Sequence, residues 1–286
     1  WDVSYYQEKL RKSRYAIDQE ALRAYFPTLP SVEWALNVAS RLYGVKFKQV
    51  NVQTWHEDVR YYDVLDARSG KFLSGIYLDL FPRDGKFKHA AAFPVRSVSR
   101  SVGRTPVSVL VTNFDRKGLT HGEVETLFHE LGHVLHGVLS RTDYAPQGGT
   151  NVMRDFVEAP SQMFEEWARR AESIELLRLS CKDCPVLGPD LIERLDEARK
   201  YGSGVKYSRQ HLYAAFDMAL AGPTPGDAMA TWIRMETETP LGHVEGTQLP
   251  GNFGHIAGGY AAGYYGYMWS EVLALDMLSA FGSNIM

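Results

Sequence analysis

Leu127-Phe-His-Glu-Leu-Gly-His-Val-Leu-His136 is the stretch on which the reading of this chain turns. Within it, His129, Glu130 and His133 form an H-E-x-x-H pattern. Residues four apart share one face of a helix, so the two imidazoles can reach a single metal ion. Glu130, one position along, comes near enough to act on a water bound to that ion. Two imidazoles, an open coordination position and an adjacent carboxylate are what metal-assisted hydrolysis requires. The same pentapeptide also arises by chance in unrelated helices, so its surroundings must carry the argument.

Those surroundings read as a capped and buried helix. Thr120-His-Gly-Glu123 fits a capping box, with the Thr120 hydroxyl at the N-cap and Glu123 reaching back. Val124, Leu127, Phe128, Leu131, Val134, Leu135 and Val138 follow at helical intervals. Burying two histidines and a glutamate among such residues is costly unless something pairs with them, and a metal would. His136 lies about two turns from His129, roughly 10 Å along the axis at ~1.5 Å per residue, too far to share the ion. It reads as a packing or hydrogen-bonding residue.

The candidate third ligand is Glu158, in Arg154-Asp-Phe-Val-Glu-Ala-Pro-Ser-Gln-Met-Phe-Glu-Glu-Trp167. Phe156, Ala159, Met163, Phe164 and Trp167 give this segment an apolar helical side, with Asp155 as its N-cap and Pro160 near its start. Pro146, Gly148 and Gly149 supply the turn that folds it back on the first helix. The other reading of Glu158 is a solvated carboxylate at a helix N-terminus. Glu165 and Glu166 are read as that ordinary kind.

Phe128 to His136, followed by Gly149-Thr-Asn-Val-Met-Arg-Asp-Phe-Val-Glu-Ala-Pro-Ser-Gln-Met163, resembles the thimet oligopeptidase family of zinc metallopeptidases, which includes neurolysin, saccharolysin and bacterial oligopeptidases. Trp1-Asp-Val-Ser-Tyr-Tyr6, Tyr25-Phe-Pro27, Trp55-His-Glu-Asp-Val-Arg60 and Tyr77-Leu-Asp-Leu-Phe-Pro-Arg83 match further landmarks, as does Phe253 to Trp269. The resemblance implies one zinc per chain on His129, His133 and Glu158, and Glu130 as general base toward a zinc-activated water. It implies short peptides as substrates, cut at internal bonds. Family members are longer, with a large helical portion ahead of the point matching Trp1 and a further segment beyond Met286. The expectation is therefore a catalytic region, residues 1–286, of a fragment or shortened form. Such a piece is expected to bind zinc with weak or no peptidase activity, recoverable when the N-terminal portion is supplied, and its exposed face would invite self-association or pairing with the missing half.

Peptide hydrolysis needs donors for an oxyanion. Tyr260, Tyr264 and Tyr267 stand at i, i+4 and i+7, with His255 upstream. As a helix they would be a packing stripe. Gly258, Gly259, Gly263 and Gly266 argue instead for a loop that closes on substrate. The resemblance implies oxyanion and substrate contacts at Tyr264 and above all Tyr267, with His255 and Tyr260 close by and Gly258 and Gly259 beside the substrate.

A chain of 286 residues can bury a sizeable core, and its net charge of -3, without a dense Lys/Arg run, does not point to nucleic acid. No apolar stretch has the length of a membrane span, and no signal-peptide pattern is present, so the expected setting is cytoplasmic, or organellar if a targeting segment precedes Trp1. Cys181 and Cys184 read as reduced loop thiols, with a redox-sensitive pair as the other reading.

The remaining patterning predicts an α+β, predominantly helical fold with a small sheet beside the H-E-x-x-H helix. Ser31 to Tyr43 reads as a helix capped by Ser31 and ended by Gly44. Val59, Tyr61 and Val64, a turn at Ala67-Arg-Ser-Gly70, then Phe72, Ile76, Leu78 and Leu80 read as a hairpin, and Val107 to Val111 as a further strand. Helices are expected from Pro189 to Gly202, from Tyr207 to Ala221 and from Pro225 onward. An edge strand near the metal helix would pair with an extended peptide, and periodicity leaves open which strand that is. A peptide-binding module without turnover, or a zinc hydrolase of other substrates, are the competing readings.

Overall fold

The computed structural model describes residues 2–282, so Trp1 and Met286, both invoked above, lie outside the described residues. The chain begins with helices α1 (Asp2–Tyr15), α2 (Gln19–Leu22) and α3 (Thr28–Tyr43). Five strands follow: β1 (Val45–Val50), β2 (Arg60–Asp66), β3 (Phe72–Asp79), β4 (Ala91–Arg96) and β5 (Val107–Val111). Next come α4 (His121–Val138), α5 (Arg154–Val157), α6 (Ala159–Glu165), α7 (Ala171–Ser180) and α8 (Pro189–Lys200). The chain ends through α9 (Ser203–Leu220), α10 (Ala228–Thr237), α11 (Leu249–Asn252), α12 (Gly254–Ala257) and α13 (Gly266–Ser279). This is the α+β, mostly helical fold that the patterning predicts.

The sheet runs β1-β2-β3-β5-β4, with β3 and β5 parallel and the other pairs antiparallel. The β2–β3 turn forms because the Asp66 carboxylate accepts the Arg68 and Ser69 backbone N–H groups at 3.1 and 2.7 Å, and Gly70 takes a φ of 71°. Strands β1 and β4 are not legible from composition: β1 alternates with lysines, and β4 is largely exposed and carries Pro94. Pro fits there because β4 is an edge.

Every apolar residue expected on the inner side of α4 is buried, from Val124 to Val138. The helix starts as predicted: the Glu123 N–H donates to the Thr120 hydroxyl at 3.2 Å, and the Thr120 N–H donates to the Glu123 carboxylate at 2.8 Å. Arg23 also donates to Glu123, at 2.7 Å, tying α2 to this cap.

Several boundaries differ from expectation. Helix α3 starts at Thr28, with Ser31 buried inside rather than capping, because Pro30 is tolerated in a first turn whose N–H groups have no helical partner. Helix α9 begins at Ser203, not Tyr207, and α10 begins at Ala228 behind Asp227, whose carboxylate accepts the Ala230 N–H at 2.7 Å. Cys181 and Cys184 are not free thiols but a disulfide, since the turn after α7 brings their Cα atoms to 5.5 Å.

Two apolar clusters result. The larger joins α3, the sheet, α4, α6 and α7 around Trp34, Phe128, Phe164 and Trp167. The smaller gathers Phe216, Trp232, Phe253 and Tyr264 from α9, α10 and the loop before α13.

Candidate active site

Helix α4 presents His129 and His133 on the side facing α6, and close helix packing brings in the third donor. At Gly132 a Cβ would lie 2.7 Å from the Ser161 Cα, so a side chain there would push α6 away. Glu158 does not sit within one continuous helix. It ends α5 and starts α6, with Met153 rather than Asp155 at the N-terminus of α5, and Pro160 in the first turn of α6 enforces the break. Phe156, on α5 ahead of that break, is consequently exposed.

The Glu158 Oε2 lies 3.2 Å from His129 Nε2 and 2.9 Å from His133 Nε2, and the three donors lie within 4.8 Å of one another. Glu158 is 2% exposed. Burial would raise its carboxyl, yet the two imidazoles hold it well below the usual carboxylate range. Burial likewise lowers His129, but Glu158 and Glu165 outweigh this and push it up to about 10. Two imidazole nitrogens and one buried carboxylate, converging from one side, suit a tetrahedral cation such as zinc with a position left open.

Glu165, expected to be a solvated carboxylate, is not one. Its Oε1 lies 2.7 Å from His129 Nδ1, which orients the ring so that Nε2 faces Glu158. Arg169 then links Glu165 and Glu125, at 3.4 and 2.9 Å. Glu166 pairs with Arg170 at 2.7 Å. His136 is held off the cluster as expected, and burial lowers its pKa.

Glu130 is part-buried, which raises its carboxyl, and the Ala92 backbone N–H is hydrogen-bonded to it. That contact places the edge strand β4 alongside the H-E-x-x-H helix and answers which strand is the edge near the site.

The tyrosine-rich segment is a loop, not a helical stripe, up to the start of α13. The Tyr260 hydroxyl donates to Glu158 Oε1, so this phenol directly reaches the group of residues that could hold a metal. Its ring stacks on Tyr267 at 5.1 Å between centroids. The Tyr267 hydroxyl is hydrogen-bonded to Tyr260, and its backbone carbonyl accepts from Gln162 at 3.0 Å. Burial and then the Glu158 carboxylate raise the pKa of both phenols. Tyr264 is buried in the smaller core, where burial pushes it up to about 12. His255 lies 5.3 Å from Tyr264 and 5.9 Å from Tyr267 between ring centroids, while Gly258 and Gly259 are exposed. At Gly266 a Cβ would come within 2.4 Å of the Arg154 carbonyl oxygen, so α13 approaches α5 closely only without a side chain.

Two residues of this part were not singled out in the sequence. Arg154 lies over the Tyr260 ring at 4.9 Å. Asp217, on α9, accepts the Ala262 and Tyr264 backbone N–H groups at 2.9 Å each. No periodicity or spacing marks either one.

Residues 1–286 match the family described as Peptidase family M3. The chain is 36% identical over 301 residues to a thimet-like oligopeptidase of Dictyostelium discoideum, covering 99% of this chain and 45% of that protein. It is 34% identical over 299 residues to oligopeptidase A of Escherichia coli, covering 98% of this chain and 44% of that one. With saccharolysin of Saccharomyces cerevisiae it shares 33% identity over 300 residues, 97% of this chain and 42% of the yeast protein. The chain thus spans under half the length of these relatives. Among the described residues no helix is long and apolar enough to cross a membrane.

Proposed function

Since the chain belongs to Peptidase family M3, we propose that it is the catalytic region, residues 1–286, of a zinc oligopeptidase that hydrolyses internal bonds of short peptides. The observation that carries this reading is the convergence of His129, His133 and Glu158, whose donor atoms lie within 4.8 Å of one another. Zinc held there supplies a Lewis acid and makes water a usable nucleophile near neutral pH.

The rest of the reaction falls to the chain's own groups. Glu130 follows His129 on α4 and takes the proton from the attacking water, then hands it to the leaving amine. Tyr267 donates to the oxyanion, with Tyr264 and His255 as the other groups assigned to catalysis. Tyr260 binds substrate while bonded to Glu158, and the exposed backbone at Gly258 and Gly259 approaches the peptide. Substrate lies antiparallel or parallel along the free side of β4, whose backbone groups there have no strand partner. A cytoplasmic or organellar setting belongs to the same reading. So does self-association, or pairing with a further segment, through the exposed Trp269, Val272 and Leu275 of α13.

The test is zinc content together with cleavage of a short internally quenched peptide. One zinc per chain, and cleavage abolished by a chelator and restored by zinc, are expected. A chain that binds no zinc, or that cleaves equally well without it, sinks the reading.

A further inference from the structure

The carboxylate of Asp217 stands in an unusual place. It is 2% exposed, and among the described residues it has no ion-pair partner. It also lies in the last turn of α9, the end at which the helix dipole disfavours negative charge. A buried carboxylate in that position is costly unless hydrogen bonds satisfy it. Both of its oxygens are in fact used: Oδ1 accepts the Ala262 N–H and Oδ2 the Tyr264 N–H, each at 2.9 Å.

The turn it holds is itself strained. Ala262 has a φ of 54°, in the left-handed region that a residue with a Cβ avoids. Such a conformation persists only where its surroundings fix it. Residues 257–259, 261 and 262 are exposed and carry only glycine or alanine side chains, so this backbone is held by local turn bonds (the Tyr260 N–H to the His255 carbonyl, the Gly263 N–H to the Tyr260 carbonyl), by the Tyr260 side chain, and by Asp217 from a distant helix. Downstream, Tyr264 enters the smaller core, and Gly266 starts α13.

We infer that Asp217 is a positioning residue for catalysis: by gripping the turn at 262–264 it sets where Tyr260 and Tyr267 stand relative to Glu158. The inference rests on the proposed function. The path is short and continuous. Asp217 fixes the Tyr264 N–H, Tyr264 packs 5.0 Å from Tyr267 between ring centroids, and Tyr267 stacks on Tyr260, whose hydroxyl donates to Glu158. Helices α4 and α6, which carry or flank His129, His133 and Glu158, pack into the larger core, so these three are expected to keep their arrangement when this grip is lost.

The test uses the zinc-loaded chain and a short peptide bearing a phosphinate in place of the scissile amide, with affinity read by calorimetry. Asp217→Asn keeps the side-chain size but sets an NH2 group against one of the two N–H donors. It should weaken binding on the order of 10–10²-fold, as expected for a displaced contact, with zinc content unchanged. Tyr260→Phe and Tyr267→Phe should also weaken it. Combining Asp217→Asn with either tyrosine variant should cost little more than the tyrosine variant alone, because the groups act as a unit. Amide hydrogen exchange should accelerate across residues 258–265 and stay unchanged in α4. If Asp217→Asn fails to fold, Asp217→Glu decides, since it keeps the charge and displaces the turn. Additive losses, or wild-type affinity in the Asp217 variants beside weakened tyrosine variants, overturn this role and leave the proposed function standing. A wild-type chain that holds zinc but does not bind the phosphinic peptide overturns both.

Discussion

Helix α4 and the glycine-rich stretch 258–267, a loop that runs into the start of α13, both bring groups to Glu158, yet they are built in opposite ways. Helix α4 has a reciprocal cap, an inner side buried from Val124 to Val138, and a place in the larger core. The loop has four glycines within nine residues (258, 259, 263 and 266), much exposed backbone, and anchorage in the smaller core through Phe253 and Tyr264. Metal ligands must keep fixed distances, so they gain from a rigid element. Groups that meet a substrate must let it enter and then contact it, which suits a segment of low local stability.

The sharpest way to break this division is to remove chemistry from the rigid side without disturbing its packing. Glu130→Gln is expected to lower turnover on the order of 10²–10⁴-fold, with zinc content and melting temperature unchanged. A variant as active as wild type would remove Glu130 from the reaction. On the loop side, Tyr267→Phe should lower kcat on the order of 10²–10³-fold, as for a lost oxyanion donor, with a smaller change in KM. An effect on KM or thermal stability alone would return Tyr267 to a packing role.

Packing defects should show the contrast in another measure. Gly132→Ala forces a side chain onto the Ser161 backbone, 2.7 Å away, so it should destabilise the chain and weaken zinc binding. Overpacking of this kind costs about 1–3 kcal/mol, readable as a shifted urea midpoint. Thr120→Ala removes only the cap of α4 and should cost about 1 kcal/mol, with zinc affinity near wild type.

The last test concerns acid stability, at a carboxylate on β3, outside both regions. Asp79 is buried between Arg83 at 2.7 Å and Lys86 at 2.8 Å. Burial alone would raise its carboxyl, but Arg83, Lys86 and the Trp55 indole lower it well below its ordinary value. A folded pKa below the unfolded one contributes stability above the unfolded value and loses it as pH falls through the folded value. Wild-type stability should therefore decline as pH drops below about 4, and Asp79→Asn should show a shallower decline over the same window in pH-dependent melting. Parallel curves would show that other carboxylates set the acid limit.

The sequence alone determined α4 and the shared face of His129 and His133, because cap, period and the His129–His133 spacing are properties of neighbours along one helix. It also marked Glu158 as the candidate third ligand and the tyrosine-rich segment by its spacing and glycines, with the roles of both coming from the resemblance. The hairpin β2–β3 was readable from its turn, whereas β1 and β4 were not, since an exposed strand carries little alternation. What tertiary structure decided lies wherever the partner is distant in the chain. Glu165 reads as a solvated glutamate until α6 folds back on α4 and sets it against His129, 36 residues earlier. Asp217 reads as a helix residue until α9 brings it under a turn 45 residues later. Local spacing fixes which side chains share a face, but only the packing of separate elements decides which faces meet, and the site is assembled where they do.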